Sequence, residues 1–216
     1  MRNTFLLLFF VLLFPFLSRS QDYDLGFNLD AGVNLPVFNE APLRITYNAS
    51  TAIFLKFNKN KAFSFIPALY AEKTSNRFNV LPDFTFVNDL YRFGINIGTS
   101  MMLNINWYMI ANLNVSYLFY NSIYTVYEGT NYTPSGRTSN SELSNNENKF
   151  IPGLGLSLCY AVSKRFAISF NYKQALLSSY SNDKFYIFGN NLKTINFNNK
   201  ESKLTVSLIF NLIEKQ

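Results

Sequence analysis

Four charged residues are the sequence's main candidates for chemistry inside the protein: Asp30, Lys56, Arg92 and Lys203. Each falls on the more polar face of a segment in which apolar and polar residues alternate. If these segments are strands of one narrow barrel, their polar faces meet in its interior, where charges must pair with one another. The four residues therefore predict an ion cluster that plugs the lumen, and a gated path for ions is the alternative.

The sequence offers little for catalysis. It contains no histidine, which excludes Ser-His-Asp triads, cysteine–histidine pairs and histidine metal sites. Asp22 and Asp24 share a face near the predicted mature N-terminus, where we interpret them as a solvated strand end. The single cysteine, Cys159, excludes an internal disulfide, and the small residues around it favour a packed thiol. We therefore expect no enzyme activity, no metal site and no cofactor.

Aromatic residues between the alternating segments are the candidates for binding a partner. The stretch KFYIFGNNLKTINF, from Lys184 to Phe197, is predicted to form a small hairpin that turns at Gly189-Asn190. Exposed rings in this hairpin would offer apolar contact area to another protein. The alternative is that the loops pack on each other or extend the strands. The candidate binding residues are Phe185, Tyr186 and Phe188.

The N-terminus has the features of a secretory signal peptide. Arg2 supplies a positive start, residues 5–17 form an apolar run, and Ser18 and Ser20 are the small residues that precede a cleavage site. The run is shorter than the roughly 20 residues that a membrane-spanning helix needs. We therefore predict a signal peptide over residues 1–20 and a barrel domain over residues 21–216, with an uncleaved anchor as the alternative.

The composition favours membrane strands over membrane helices. Hydrophobic residues make up 48% of the chain and aromatic residues 18%, while only 15% are charged, against roughly 25% in soluble domains. Beyond the N-terminal run the apolar residues are scattered, which is typical of alternating strands. The net charge is +6, but charges of both signs are mixed and form no basic stripe. We therefore expect no nucleic-acid partner.

Alternation of apolar and polar residues recurs in eight segments. In the first, from Leu25 to Leu35, every odd position is apolar and every even position is small or polar. Most of the segments reach the length of about 9–11 residues that a tilted strand needs to cross a bilayer. The predicted strands are 25–35, 45–57, 62–72, 90–103, 107–120, 150–162, 166–173 and 202–213.

The connections between these segments alternate in length. Tight turns follow the second, fourth and sixth segments, and longer loops follow the others; the stretch FNVLPDFTF, residues 78–86, is assigned to a long loop. This asymmetry is typical of outer-membrane barrels, and a sheet in lipid must close to pair its edges. We predict an all-β, eight-stranded antiparallel up-and-down transmembrane β-barrel with apolar residues facing lipid. A soluble lipocalin-like barrel, with apolar residues inward, is the alternative.

The hairpin CYAVSKRFAISFNYKQAL, from Cys159 to Leu176, joins two of these segments through a tight turn. With the signal peptide and the eight amphipathic segments, it resembles the outer-membrane β-barrel domain family of Gram-negative bacteria that includes PorT-like proteins. The resemblance covers nearly all of the mature chain. It implies a location in the cell outer membrane, but no single activity and no catalytic residues. Many such barrels end on an aromatic residue, whereas this chain continues past Phe210.

These observations predict a structural or partner-binding role through long extracellular loops, without enzyme activity. The expected partners are outer-membrane lipid and a protein that contacts the loops, and the barrel is expected to be monomeric. A small transporter or narrow channel is the first alternative, and a soluble ligand-binding barrel is the second.

Overall fold

The computed structural model describes residues 23–35, 43–57, 62–81, 84–127, 136–139, 148–178, 184–187, 193–196 and 200–215. The predicted signal peptide, residues 1–20, lies outside them. A search of the described residues for a helix long and apolar enough to cross a membrane finds none. The strands within the described residues are β1 (Tyr23–Leu35), β2 (Leu43–Phe57), β3 (Phe63–Leu81), β4 (Phe84–Met102), β5 (Trp107–Tyr127), β6 (Gly136–Ser139), β7 (Phe150–Ala161), β8 (Phe166–Ala175), β9 (Lys184–Ile187), β10 (Lys193–Asn196) and β11 (Ser202–Lys215).

Eight of the described strands form a sheet that closes on itself. The strand order is β4-β3-β2-β1-β11-β8-β7-β5, and β4 also pairs with β5, which completes the ring. Each of these pairings is antiparallel. Closure pairs the backbone groups at both sheet edges, as a lipid environment requires. The predicted eight-stranded antiparallel barrel is confirmed.

Side chains alternate between the outside and the inside of the barrel, as the period of a strand dictates. On β1, Leu29 is 48% exposed and its neighbour Asp30 only 6%. On β5, Leu113 is 62% exposed and Asn112 only 8%. The predicted assignment of apolar residues to the lipid side is confirmed. A lipocalin-like barrel would show the opposite orientation, so that alternative is wrong for the described strands.

Aromatic side chains meet in cross-strand pairs on the outer face of the barrel. Rings at this position suit the interface between lipid and water, where transmembrane barrels carry aromatic girdles. Cross-strand aromatic contacts also stabilise the pairing of neighbouring strands. The pairs with centroids 4.4–5.1 Å apart are Phe93–Phe119, Phe27–Phe210, Trp107–Tyr160 and Tyr117–Phe150.

Three strands, β3, β4 and β5, extend well beyond their predicted ends. β3 continues past Glu72 and β4 begins before Leu90, so the stretch 78–86, predicted as loop, lies mostly in a long antiparallel hairpin with one register shift between Asn79 and Leu81. β5 continues past Tyr120 to Tyr127 and pairs with β6 at its end. The predicted strand ends and the loop between them were wrong.

The reason for this difference is physical. Apolar and polar residues alternate only where one face of a strand meets lipid. Beyond Glu72 the β3 sequence reads KTSNRFN, in which no apolar face is maintained. The backbone hydrogen bonds of the ladder nevertheless continue outside the bilayer. The end of the alternation therefore marks the end of the membrane band rather than the end of the strand.

The interior of the barrel is less uniformly polar than predicted. At one end of the lumen an apolar cluster packs between the walls, and inward-facing glycines provide the necessary space. A Cβ atom at Gly26 would overlap the ring of Phe54, and one at Gly94 would overlap the ring of Tyr70. The buried members of the cluster are Ala52, Phe54, Ala68, Cys159, Ala167 and Ile209.

Candidate functional site

The centre of the lumen contains a buried arginine that spans the barrel. Arg92 lies on the inward face of β4 and is 2% exposed. Its Nη1 and Nη2 atoms each donate a hydrogen bond of 2.9 Å to a different carboxylate oxygen of Glu201, the residue before β11. This bidentate geometry is the strongest arrangement available to an arginine and a carboxylate.

A second acid and a second base complete the network around Arg92. Glu72 of β3 lies with its Oε1 atom 3.5 Å from Arg92 Nη1 and accepts a hydrogen bond from Lys203 Nζ. The same Nζ atom is 3.2 Å from Glu201 Oε2 and 3.2 Å from Thr74 Oγ1. Two cations and two anions therefore neutralise one another in the buried interior. We call Glu72, Arg92, Glu201 and Lys203 the central network.

A separate ion pair lies beside the central network. Lys173 Nζ of β8 is 2.9 Å from Asp30 Oδ2 of β1, and Ser50 Oγ donates to the same oxygen at 2.9 Å. Lys173 Nζ also lies 5.9 Å from the centroid of the Tyr70 ring. Asp30 is thus compensated by a cation from β8, two strands away in the sheet.

A layer of amides and hydroxyls covers the network on the side of the long β3–β4 hairpin. Asn34 Nδ2 donates to Asn76 Oδ1 at 2.9 Å, and Asn48 Nδ2 donates to Thr74 Oγ1 at 3.2 Å. All four side chains are buried. This layer gives the interior a second hydrogen-bonded closure.

Of the four residues predicted to form an ion cluster, the structure brings two together. Arg92 and Lys203 both contact Glu72 and Glu201. Asp30 instead pairs with Lys173, and Lys56 lies apart, with its Nζ atom 4.9 Å from the ring centroid of Tyr108.

Sequence reasoning missed three members of these ion pairs: Glu72, Lys173 and Glu201. The sequence did indicate an inward position for Glu72 and Lys173, because each occupies a polar-face position of its predicted strand. Glu201 lies just before a predicted strand, where alternation assigns no face. Its role therefore follows only from the three-dimensional structure.

Two internal cavities occupy the lumen, with volumes of about 50 Å³ and about 90 Å³. Asp30 and Lys173 line both of them, together with Asn28 and Asn96. The Oδ1 atoms of Asn28, Asn96 and Asn112 are buried without a hydrogen-bond partner in the protein. The cavities have room and polar groups for water, which needs about 10–15 Å³. They are small beside the roughly 300–1,000 Å³ of sites that bind organic ligands.

Two of the three loop candidates, Phe185 and Tyr186, lie on β9, in a two-stranded sheet separate from the barrel sheet. β9 and β10 pair antiparallel, with Phe185 opposite Ile195 and Tyr186 opposite Thr194. Phe188 lies outside the described residues, as does the predicted turn at Gly189-Asn190. Within the part of the chain that the structure describes, no three histidine, cysteine or acidic residues form a group suited to a metal ion.

Neither the protein-family models nor the curated proteins compared with this sequence give a match. Among solved structures, the chain is similar to Ail, the attachment invasion locus protein of Yersinia pestis, at 9% identity over 89% of this chain and 99% of that one, with a TM-score of 0.48. It is also similar to Neisserial surface protein A, at 15% identity over 87% and 97% of the two chains, with a TM-score of 0.46. Identities this low concern the fold alone. The closed sheet with its outward apolar face has the architecture of a transmembrane β-barrel.

Proposed function

We propose that the protein is a monomeric, non-enzymatic outer-membrane barrel with a closed lumen, which acts structurally or binds a partner through its extracellular part. The observation that carries this proposal is the bidentate Arg92–Glu201 pair across the interior. Membership of the PorT-like group, the identity of the partner and a contribution of Phe185, Tyr186 and Phe188 to binding are parts of the same proposal.

The central network supports a closed lumen on energetic grounds. An isolated buried charge costs several kcal/mol, whereas a paired and hydrogen-bonded one is compensated. An ion that crossed the lumen would have to separate Arg92 from Glu201 or Lys203 from Glu72, and it would leave charges without compensation at the narrowest level. Steady conduction through this arrangement is therefore unfavourable.

The long β3–β4 hairpin supports a role in binding. From Glu72 to Leu81, β3 extends by about 30 Å at roughly 3.3 Å per residue. β4 and β5 accompany it, and β6 adds a fourth strand at the edge of β5. A sheet of this size exceeds what is needed to connect two membrane strands. It offers a firm surface outside the bilayer on which another molecule can dock.

Cysteine labelling in intact cells tests the proposed topology. Lys200→Cys places a thiol at an exposed position beside the central network, and Lys164→Cys places one in the exposed turn between β7 and β8. A maleimide on a large polyethylene glycol chain should label only the first variant in intact cells, and both after the outer membrane is permeabilised. The native Cys159 is buried and gives the unlabelled background. Labelling of Lys164→Cys in intact cells would contradict the proposal.

A narrow channel is the second candidate, and the two cavities with their buried amide oxygens favour it. In planar bilayers we expect no steady conductance from the purified wild-type protein. Arg92→Ala should raise the frequency of brief openings, because it removes one of the two cations that contact both Glu72 and Glu201. A large, stable conductance of the wild-type protein would establish the channel instead.

A further inference from the structure

Among the outward-facing side chains that the structure describes, charge is confined to one place. Among outward-facing strand residues whose side chains the structure describes, the charged ones are Lys73, Arg77 and Asp89. All three lie on β3 and β4, just above the level of the central network. Because the remaining outward positions are apolar or neutral, this local concentration of charge requires an explanation of its own.

Aromatic rings hold the two cations in place. Lys73 Nζ lies 6.0 Å from the ring centroid of Tyr47 on β2 and 5.2 Å from that of Tyr91 on β4. Arg77 Cζ lies 5.9 Å from the same Tyr47 ring, and its side chain is exposed. These distances are typical of cation–π contacts. We call Tyr47, Lys73, Arg77 and Tyr91 the basic patch.

The carboxylate of Asp89 does not cancel the patch. It accepts a hydrogen bond from Ser75 Oγ and interacts electrostatically with Lys73. Two cations against one anion leave a positive charge, and Arg77 is its more exposed bearer. A guanidinium in this position suits a phosphate, whose oxygens it contacts in pairs.

Small side chains lie next to the patch on the outer face of β2 and β3, toward the membrane band. Ala49 is opposite Lys73 in the β2–β3 register, and Thr51 is opposite Ala71 in the next outward-facing pair. The larger side chains that follow in this direction, such as Ile53, are exposed and apolar. The patch therefore adjoins an uncharged, largely apolar surface.

We propose that the basic patch binds the phosphate group of an outer-leaflet lipid, whose acyl chain lies against the apolar surface next to the patch. The proposal rests on the proposed outer-membrane location and adds a specific lipid site to it. Positive side chains with aromatic flanks, placed at the boundary of an apolar band, match a phosphorylated lipid, in which a negatively charged headgroup adjoins apolar chains.

Retention of diphosphoryl lipid A by the purified protein tests the site. The full chain in detergent is mixed with the lipid, and the bound fraction is measured by native mass spectrometry. Lys73→Gln/Arg77→Gln should retain at least about tenfold less lipid than wild type, as expected for two lost charge-assisted contacts. Lys164→Gln/Arg165→Gln, which removes two cations from the β7–β8 turn, should retain as much as wild type.

Two further arms identify what is recognised. Dephosphorylated lipid A should be retained no better by wild type than by the double variant, and inorganic phosphate should not displace the bound lipid. Three results would overturn the proposal. The first is that the double variant retains as much diphosphoryl lipid A as wild type does, the second is that wild type retains as much dephosphorylated as diphosphoryl lipid A, and the third is that inorganic phosphate alone displaces the bound lipid.

Folding is checked by heat-modifiable electrophoretic mobility. If the double variant does not fold, Arg77→Gln alone decides the matter, because that side chain is exposed. It should lower retention by about threefold, and unchanged retention would overturn the proposal. A negative result in the lipid-retention test would not alter the labelling and conductance results. The lipid site and the proposed function can therefore be refuted independently of each other.

Discussion

Arg92 and Glu201 are 109 residues apart in the chain, and their side chains meet inside the barrel through two hydrogen bonds of 2.9 Å. The contact joins β4 to the start of β11 across the lumen. Arg92 and Lys203 each contact both carboxylates, Glu72 and Glu201, so the four side chains depend on one another. Loss of one member of the central network is therefore expected to lower the free energy of unfolding strongly, and replacement of all four charged side chains to lower it only weakly.

The first prediction follows from this dependence. Arg92→Ala should lower the free energy of unfolding by about 3–5 kcal/mol, because Glu72 and Glu201 are left buried beside a single cation. Replacing the whole network, as Glu72→Gln/Arg92→Met/Glu201→Gln/Lys203→Met, should recover most of the loss. Urea titration in lipid vesicles, followed by tryptophan fluorescence of Trp107, measures both effects. If the single and fourfold variants lose equal stability, the charges do not act as a unit.

The second prediction concerns a glycine in the lumen. Gly94→Ala should cost about 1–3 kcal/mol, because the new methyl group would overlap the Tyr70 ring, which neighbouring strands hold in place. Gly98→Ala on the same face is the matched control, since the nearest atom there, Ile110 Cγ2, is 3.2 Å from the new Cβ. Urea midpoints of the two variants give the comparison. A larger loss at Gly98 would show that Tyr70 moves aside readily.

The third prediction tests which face meets lipid. Leu113 is 62% exposed on the outer wall of β5, and a charge at the bilayer midplane costs roughly 2–4 kcal/mol. Leu113→Arg should therefore impair folding into vesicles. Ile105→Arg, in the 90% exposed turn between β4 and β5, should fold as well as wild type. Equal folding yields of both variants would place Leu113 outside the apolar band.

The fourth prediction uses the only cysteine. Cys159 is fully buried among apolar neighbours, so a small maleimide should leave it unmodified in the folded barrel and modify it in urea. Ser163→Cys, in the exposed turn that follows β7, is the control and should react without denaturant. Labelling is followed by mass spectrometry. Rapid modification of folded wild type would mean that the apolar end of the lumen opens.

Sequence patterns predicted the part of the fold that the membrane dictates. Leu29 and Asp30 are neighbours with opposite polarity because one faces lipid and the other faces the lumen. Every strand that crosses the bilayer must alternate between apolar and polar residues in the same way. Outside the bilayer the requirement ends. The strands beyond Glu72 and before Leu90 therefore left no alternation from which they could be recognised.

The site was predictable only in part, for a geometric reason. Alternation identifies which charges point inward, and it did so for Arg92 and Lys203. The partner of each charge depends on how far neighbouring strands are shifted along one another, which the alternation does not encode. Asp30 therefore pairs with Lys173, two strands away in the sheet, and Arg92 with Glu201, at separations that no local pattern reveals.

The position of Glu201 and Lys203 along the chain has a consequence for biogenesis. β11 follows the other seven barrel strands in chain order and pairs with β1 to seal the cylinder. Half of the central network thus belongs to the segment that also forms one side of the β1–β11 seam. A barrel in which β11 has not yet docked would leave Arg92 with Glu72 as its one carboxylate partner in the network, so closing the seam and neutralising the interior are the same event.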